Sequence, residues 1–294
     1  MKPLVEFPVE DPVPKTLSYR KEARKALNAL SRLSNDHGLT AVLALISIGT
    51  LFLFWYAGTK YQLDFYIRFK NVPTPYDVWQ EALEVVRADK FSTNIFFSVK
   101  RILSGFAIAI VLGLALGLLI GKYRRAREAI MPAIEVLRPI PAIAWVPMSI
   151  MLWPNNEAAI VFITFIGAFF PILLNTVHGV HAMDGVLMRA GRCLGASEMQ
   201  LMWHVVLPGV MPSVFTGLAV GMGVAWVSLI AAEMISGQFG VGYFTWEAYS
   251  LVNYPGIVLG MITIGMLGLI CSGAIRLTGH LAMPWLAFAN GAKK

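Results

Sequence analysis

Apolar residues in this chain gather into long runs, at about 39–59, 101–121, 133–152, 158–177, 209–231 and 257–279, separated by short polar stretches. Crossing a hydrocarbon core of roughly 30 Å takes roughly 20 residues of α-helix, because every backbone polar group must find its partner inside the segment. The runs therefore predict an all-α polytopic membrane protein with six spanning helices. Between the fourth and fifth runs the stretch RAGRCLGASEMQLMWHVVLP, residues 189–208, interrupts the pattern with a short polar element.

The second run carries small residues at every fourth position: Gly105, Ala109, Gly113, Gly117 and Gly121. Four residues advance a helix by slightly more than one turn, so these positions form a drifting groove that another backbone can approach. The spacing predicts a helix-packing face, repeated more weakly by Gly217 and Gly221 on the fifth run. In the third run Pro132, Pro139, Pro141 and Pro147 rule out a straight helix, since each removes a donor and crowds the preceding turn. Broken backbone at membrane depth is tolerated only inside protein or beside a water-filled path, which makes 138–148 a candidate path lining. Arg138 there could attract an anion or snorkel to headgroups.

Composition agrees with this class. Hydrophobic residues make up 57% of the chain and charged ones 14%, with a mean hydropathy of +0.65, a balance unlike that of a soluble domain. The Lys and Arg residues fix an expected orientation. Arg20, Lys21, Arg24, Lys25 and Arg32 before the first run, Lys122, Arg124, Arg125 and Arg127 after the second, and Lys293 and Lys294 at the end predict cytoplasmic segments. The connections 153–157 and 232–256 hold neither Lys nor Arg and are expected outside. Segment 60–100 is expected outside yet carries six Lys and Arg residues, offset by Asp64, Asp77, Glu81, Glu84 and Asp89. The net charge of +7 thus reflects topology and lipid headgroups, and nucleic acid is not an expected partner.

The first run begins after 38 residues and is too long for a signal-peptide core, so it is expected to be a retained anchor. Ahead of it Tyr19, Ala23, Ala26, Leu27, Leu30 and Leu33 have helical spacing, which suits either a surface-lying helix or a solvated basic one. Cys193 and Cys271 are expected to pack, without a disulfide. GLLIGKY at 117–123 has the wrong spacing for a phosphate loop and no hydroxyl for magnesium, so no nucleotide site is expected in this chain. His178 and His181 lack companions for a metal site. Glu233 and Glu157 are too few to suggest a proton relay.

The polar stretch carries a resemblance. Arg189-Ala190-Gly191, Gly195, Val205 and Leu207-Pro208 follow the spacing of the EAA loop of ATP-binding cassette importer permeases. The segments GASEMQLMWHVVLPGVMPSVFTGL, VPTPYDVW, SVKRILSGF, LRPIPAIAWVPMSI, FFPILLNTVHG and AAEMISGQFGVGYFTWEAY resemble the nitrate, sulfonate, taurine and bicarbonate permeases, over about 70–294.

That resemblance implies a type I importer permease. Its parts would be a cytoplasmic segment 1–38, an anchor helix 39–59, an external connection 60–100, a five-helix core 101–279 with a coupling loop 184–208, and a cytoplasmic tail 280–294. It would lie in a bacterial inner membrane with both termini in the cytoplasm. Two copies, expected to be identical, would pair with two cytoplasmic ATPases that bind the ATP and magnesium, and with an external solute-binding protein. The chain itself would be non-catalytic and hold no cofactor, and its mechanism would be alternating access.

The coupling residues would be Arg189, Ala190, Gly191, Gly195, Ala196, Glu198, Leu207 and Pro208, on a helix at 189–200 that ends in a turn before Pro208. Arg189 stands where the family pattern has glutamate, so Glu198, Asp184 or an acid on the ATPase would have to replace that contact. The path would draw on Arg138, Trp145, Asn175 and Trp226. The implied cargo is a small oxyanion, with a vitamin precursor as the alternative. Two rival classes remain: a secondary transporter, which needs coupling-ion ligands at the midplane, and a scaffold, which leaves the Gly195 and Leu207-Pro208 spacing unexplained.

Overall fold

A computed structural model describes residues 38–40, 42–61 and 71–285, and every regular element among them is helical. The basic segment before residue 38 and the tail after 285, with Lys293 and Lys294, lie outside the described residues.

Two units are distinguished, Met1–Thr74 and Pro75–Lys294. The first contains α1 (Gly38–Lys60), 23 residues long and apolar enough to span a membrane. Its side chains, Leu45, Leu51 and Leu53 among them, are exposed, as suits a helix whose solvent is lipid. Within this unit Trp55 Nε1 donates to the Pro73 carbonyl at 3.1 Å.

The second unit starts with α2 (Pro75–Val86) and α3 (Asp89–Lys122). α3 begins twelve residues before its apolar run, because no Gly or Pro stops the helix there and Asp89 sits favourably in its first turn. Segment 60–100 is therefore partly helical rather than a plain connection. α4 (Arg124–Leu137) is followed by a 3₁₀ turn (Ala142–Trp145) and α5 (Val146–Leu152). The two halves bend by 86° at 138–141, where Pro139 and Pro141 offer no N–H to continue the ladder. The third apolar run is thus a broken pair, and five of the described helices are long and apolar enough to cross a membrane individually.

The core is built around α6 (Asn156–His181) and α9 (Leu207–Ser236), which carry most of the buried side chains. The α3 stripe faces α6: a Cβ on Gly105 would sit 2.8 Å from Thr164 Cβ, and one on Gly117 would sit 2.6 Å from Thr176 Cβ. α9 approaches the same helix through Gly217, where a Cβ would lie 2.8 Å from Asn175 Cβ. α6 is therefore gripped within one chain by both neighbours, at separations that only a missing Cβ allows. The stripe binds α3 to α6 within one chain.

Between α9 and the last long helix, α11 (Tyr254–Ala282), the connection contains α10 (Val241–Ser250). Asn253 caps α11 by accepting from Gly256 N at 3.1 Å and donates to Glu81 at 2.8 Å, tying α11 to α2.

Candidate functional site

The polar stretch folds as a V. Asp184 caps α7 (Gly185–Cys193) by accepting from Val186 N at 2.8 Å. At its far end Gly195 adopts φ +82°, a left-handed conformation that a Cβ disfavours. Gly195 N then reaches the Arg192 carbonyl and Ala196 N the Gly191 carbonyl, both at 3.0 Å, which is the Schellman closure of a helix end. Ser197 starts the next helix with a capping box: Ser197 N donates to Gln200 Oε1 at 2.8 Å and Gln200 N to Ser197 Oγ at 3.3 Å.

α8 (Glu198–Leu201) continues through a wide π turn (Met202–Val206) directly into α9. The expected helix over 189–200 is therefore two helices broken at 194–197, and the expected turn before Pro208 is absent. The reason lies at Pro208, which has no N–H and whose ring crowds the carbonyl four residues back. A π turn, closed by Leu207 N on the Met202 carbonyl, opens the helix enough to carry the proline without a break.

The V presents apolar side chains outward. Val186, Leu187 and Met199 are exposed, Leu194 is 88% exposed and Trp203 61%. Arg189 and Ala190 are exposed beside them, and Arg189 has no ion-pair partner among the described residues. Behind this surface Glu198 accepts from Arg192 Nε at 3.0 Å and lies 3.4 Å from Lys122 Nζ at the end of α3. The two acids expected to stand in for the missing glutamate are thus engaged inside the chain, Asp184 as a cap and Glu198 as a strut to α3.

A second feature is an open cavity of about 480 Å³ lined by Arg138, Pro141, Gly167, Phe170, Asn175 and His178. It lies where the proline break meets α6 and α9. Arg138 and Asn175 come together here, and the Asn175 Nδ2 is held by the Pro171 carbonyl at 2.8 Å. Trp145 and Trp226 do not line it. Trp226 is 5% exposed within the main core, and Trp145 packs half-buried against that core. Among the described residues no three His, Cys, Asp or Glu side chains converge as metal ligands would. Cys193 and Cys271 are free.

Sequence reasoning missed a buried ionic cluster at the end of the bundle away from the V. Arg101 Nη1 donates to Glu233 Oε1 at 2.9 Å and Arg101 Nε to Glu157 Oε2 at 2.9 Å. Ser98 Oγ donates to Glu233 at 2.8 Å. The signal was there: a charge at the edge of an apolar run demands a partner, and Arg101 opens the second run while Glu233 follows the fifth by two residues.

Comparison with known proteins places these features in context. Residues 109–281 match the family model of the binding-protein-dependent transport system inner membrane component. The nitrate import permease of a Synechocystis species is 32% identical over 223 residues, 73% of this chain and 81% of that protein. The bicarbonate transport system permease of Synechococcus elongatus is 37% identical over 174 residues, 59% of this chain and 63% of that one. Among solved structures, a chain of the MetNI methionine ABC transporter in an inward-facing conformation has TM-score 0.53 and 18% identity, covering 65% of this chain and 93% of its own. At that identity the likeness is one of fold.

Proposed function

Because the chain belongs to the binding-protein-dependent transport inner membrane component family, we propose that it forms the translocation path of an ATP-driven importer for a small oxyanion of the nitrate or bicarbonate class. Two copies of the chain would enclose the path, with cytoplasmic ATPase subunits on the V at 184–208 and a solute-binding protein on the opposite end. ATP and magnesium would bind on the ATPases, and this chain would couple their closure to alternating access without catalysing a reaction.

The observation that carries the reading is the V itself. Its two short helices are locked by a Schellman closure and a capping box, and it turns Leu194, Met199 and Trp203 outward. A rigid apolar surface rimmed by charge is what a docked partner requires. The uninterrupted helix from Glu198 to Ser236 would carry a push on the V into the bundle. With Glu198 and Asp184 engaged, the free Arg189 calls for an acidic residue on the ATPase, a reversal of the family's charge.

For the cargo, the support is the cavity in which an arginine without an ion-pair partner among the described residues lies beside Asn175 and His178. A guanidinium can hold a planar oxyanion through two parallel hydrogen bonds, which favours an oxyanion over a vitamin precursor. The test is purification of the tagged chain with its associated proteins, comparing wild type with Gly195→Trp, followed by uptake of labelled nitrate and bicarbonate into vesicles. An ATPase held by the wild type and lost in the variant, with ATP-dependent uptake of one anion, is the expected result. A wild-type preparation free of any ATPase, or uptake that survives ATP depletion, would overturn the reading.

A further inference from the structure

Arg101 is 1% exposed and Glu233 0%, at the end of the bundle remote from the V. With α3 rising about 1.5 Å per residue, Arg101 lies about 32 Å along the helix from Lys122, the residue that meets Glu198. The guanidinium is divided among Glu233 of α9, Glu157 at the start of α6 and the Phe239 carbonyl between α9 and α10. Glu233 accepts in addition from Ser98 Oγ and from Gly242 N at 3.0 Å. Two α3 side chains complete the clasp: Asn94 Oδ1 accepts from Gly240 N at 3.0 Å and Ser98 Oγ from Val241 N at 2.8 Å. Gly240 has φ +124°, and a Cβ there would run into the Glu233 carboxylate, so the turn fits this clasp only as glycine.

A buried ion pair returns by attraction little more than its desolvation costs, and apolar side chains of similar volume hold such a place equally well. Bulk stability is therefore a weak reason for charges here. Fixing one arrangement of four elements is a stronger one, since each hydrogen bond of the cluster is met only in this register. Glu157 is half exposed, so a protein docking at this end can reach the arginine's hold without entering the core.

Resting on the transport reading above, we propose that Arg101 is a positioning residue of the transport cycle. It holds the turn at 237–240, and through it the start of α10, against α3 and the start of α6, and docking of the binding protein beside Glu157 releases that hold.

The test uses the complete transporter, with its ATPases and cognate binding protein, in lipid vesicles. ATP hydrolysis is measured with and without binding protein loaded with nitrate or bicarbonate, alongside subunit yield and melting temperature. Arg101→Met combined with Glu233→Leu fills the site with apolar groups. This double variant leaves Gly242 N and the Phe239 carbonyl without these partners, so it is expected to assemble with a lowered melting temperature, yet to hydrolyse ATP without binding protein about fivefold faster or more, the lower end of ordinary site-to-site couplings. Hydrolysis that still waits for the binding protein overturns the proposal. If the double variant does not assemble, Glu157→Gln decides, because it spares the buried pair: raised hydrolysis without binding protein supports the proposal and an unchanged requirement overturns it. A wild-type transporter whose hydrolysis ignores the binding protein overturns the transport reading and this inference together.

Discussion

Gly191 of α7 lies directly against Leu201 of α8, so that a Cβ at 191 would overlap the Leu201 Cδ2 methyl. Leu201 is 1% exposed and cannot swing into solvent without leaving a hole. The contact sets the angle of the V. Gly191→Val is expected to force α7 outward, at the about 1–3 kcal/mol typical of overpacking. Co-purification should read this out as a chain that still inserts but retains little ATPase.

Gly195 presents a different case, because nothing lies within 4 Å of the Cβ it lacks. Only its φ of +82° opposes a side chain. Gly195→Ala should therefore cost about 1–2 kcal/mol, and Gly195→Asn less, since asparagine tolerates the left-handed region. Melting temperatures of the solubilised chain test the order Gly, Asn, Ala; an alanine variant as stable as wild type would contradict it.

On α3, a Cβ at Gly117 would come within 2.6 Å of Thr176 Cβ and 3.0 Å of the Leu173 carbonyl. Backbone cannot yield as a flexible side chain does, so Gly117→Leu is expected to cost about 3 kcal/mol or more and to give aggregated material on size exclusion. Gly265 has open space around it, and Gly265→Leu should leave the melting temperature of the chain unchanged.

Arg138 lines the 480 Å³ cavity. Arg138→Gln should raise the half-saturating anion concentration for uptake about tenfold, the factor corresponding to 1.4 kcal/mol, while ATPase capture stays intact. Uptake kinetics in vesicles and the co-purification assay separate the two effects. A lost ATPase would place Arg138 in the structural frame.

Trp226 stands in the core against α11 rather than at the cavity. Trp226→Ala is therefore expected to destabilise the fold by about 3–5 kcal/mol. Trp226→Phe should retain both fold and uptake, whereas a folded phenylalanine variant without uptake would return Trp226 to the path.

The lengths of the apolar runs and the four-residue spacing of Gly105, Ala109, Gly113, Gly117 and Gly121 made the spanning helices and a close-packing stripe legible without coordinates. Both are local properties: lipid demands an unbroken apolar helix, and a repeated glycine demands a near neighbour. Pro139, Pro141 and Pro147 likewise announced a broken segment, because the loss of a donor takes effect where the proline stands. The bend of 86°, and the meeting of Arg138 with Asn175, depended on how α4 and α6 pack.

The same limit governs the rest. A helix over 189–200 was the natural reading of residues that favour helix on both sides of one glycine, and only the backbone angle at Gly195 made it a V. Trp226 was assigned to the path by residue type, but which face of α9 turns to the core is decided by its neighbours. Arg101 and Glu233 are 132 positions apart. In the sequence Arg101 opens one apolar run and Glu233 follows another, and neither position points to the other. What the sequence by itself determined was therefore the set of helices and the places where they break, since backbone satisfaction in lipid is a local requirement. Which helix each glycine meets and which acid each arginine finds was decided by tertiary structure, since close packing and ion pairing join residues that the chain order keeps apart.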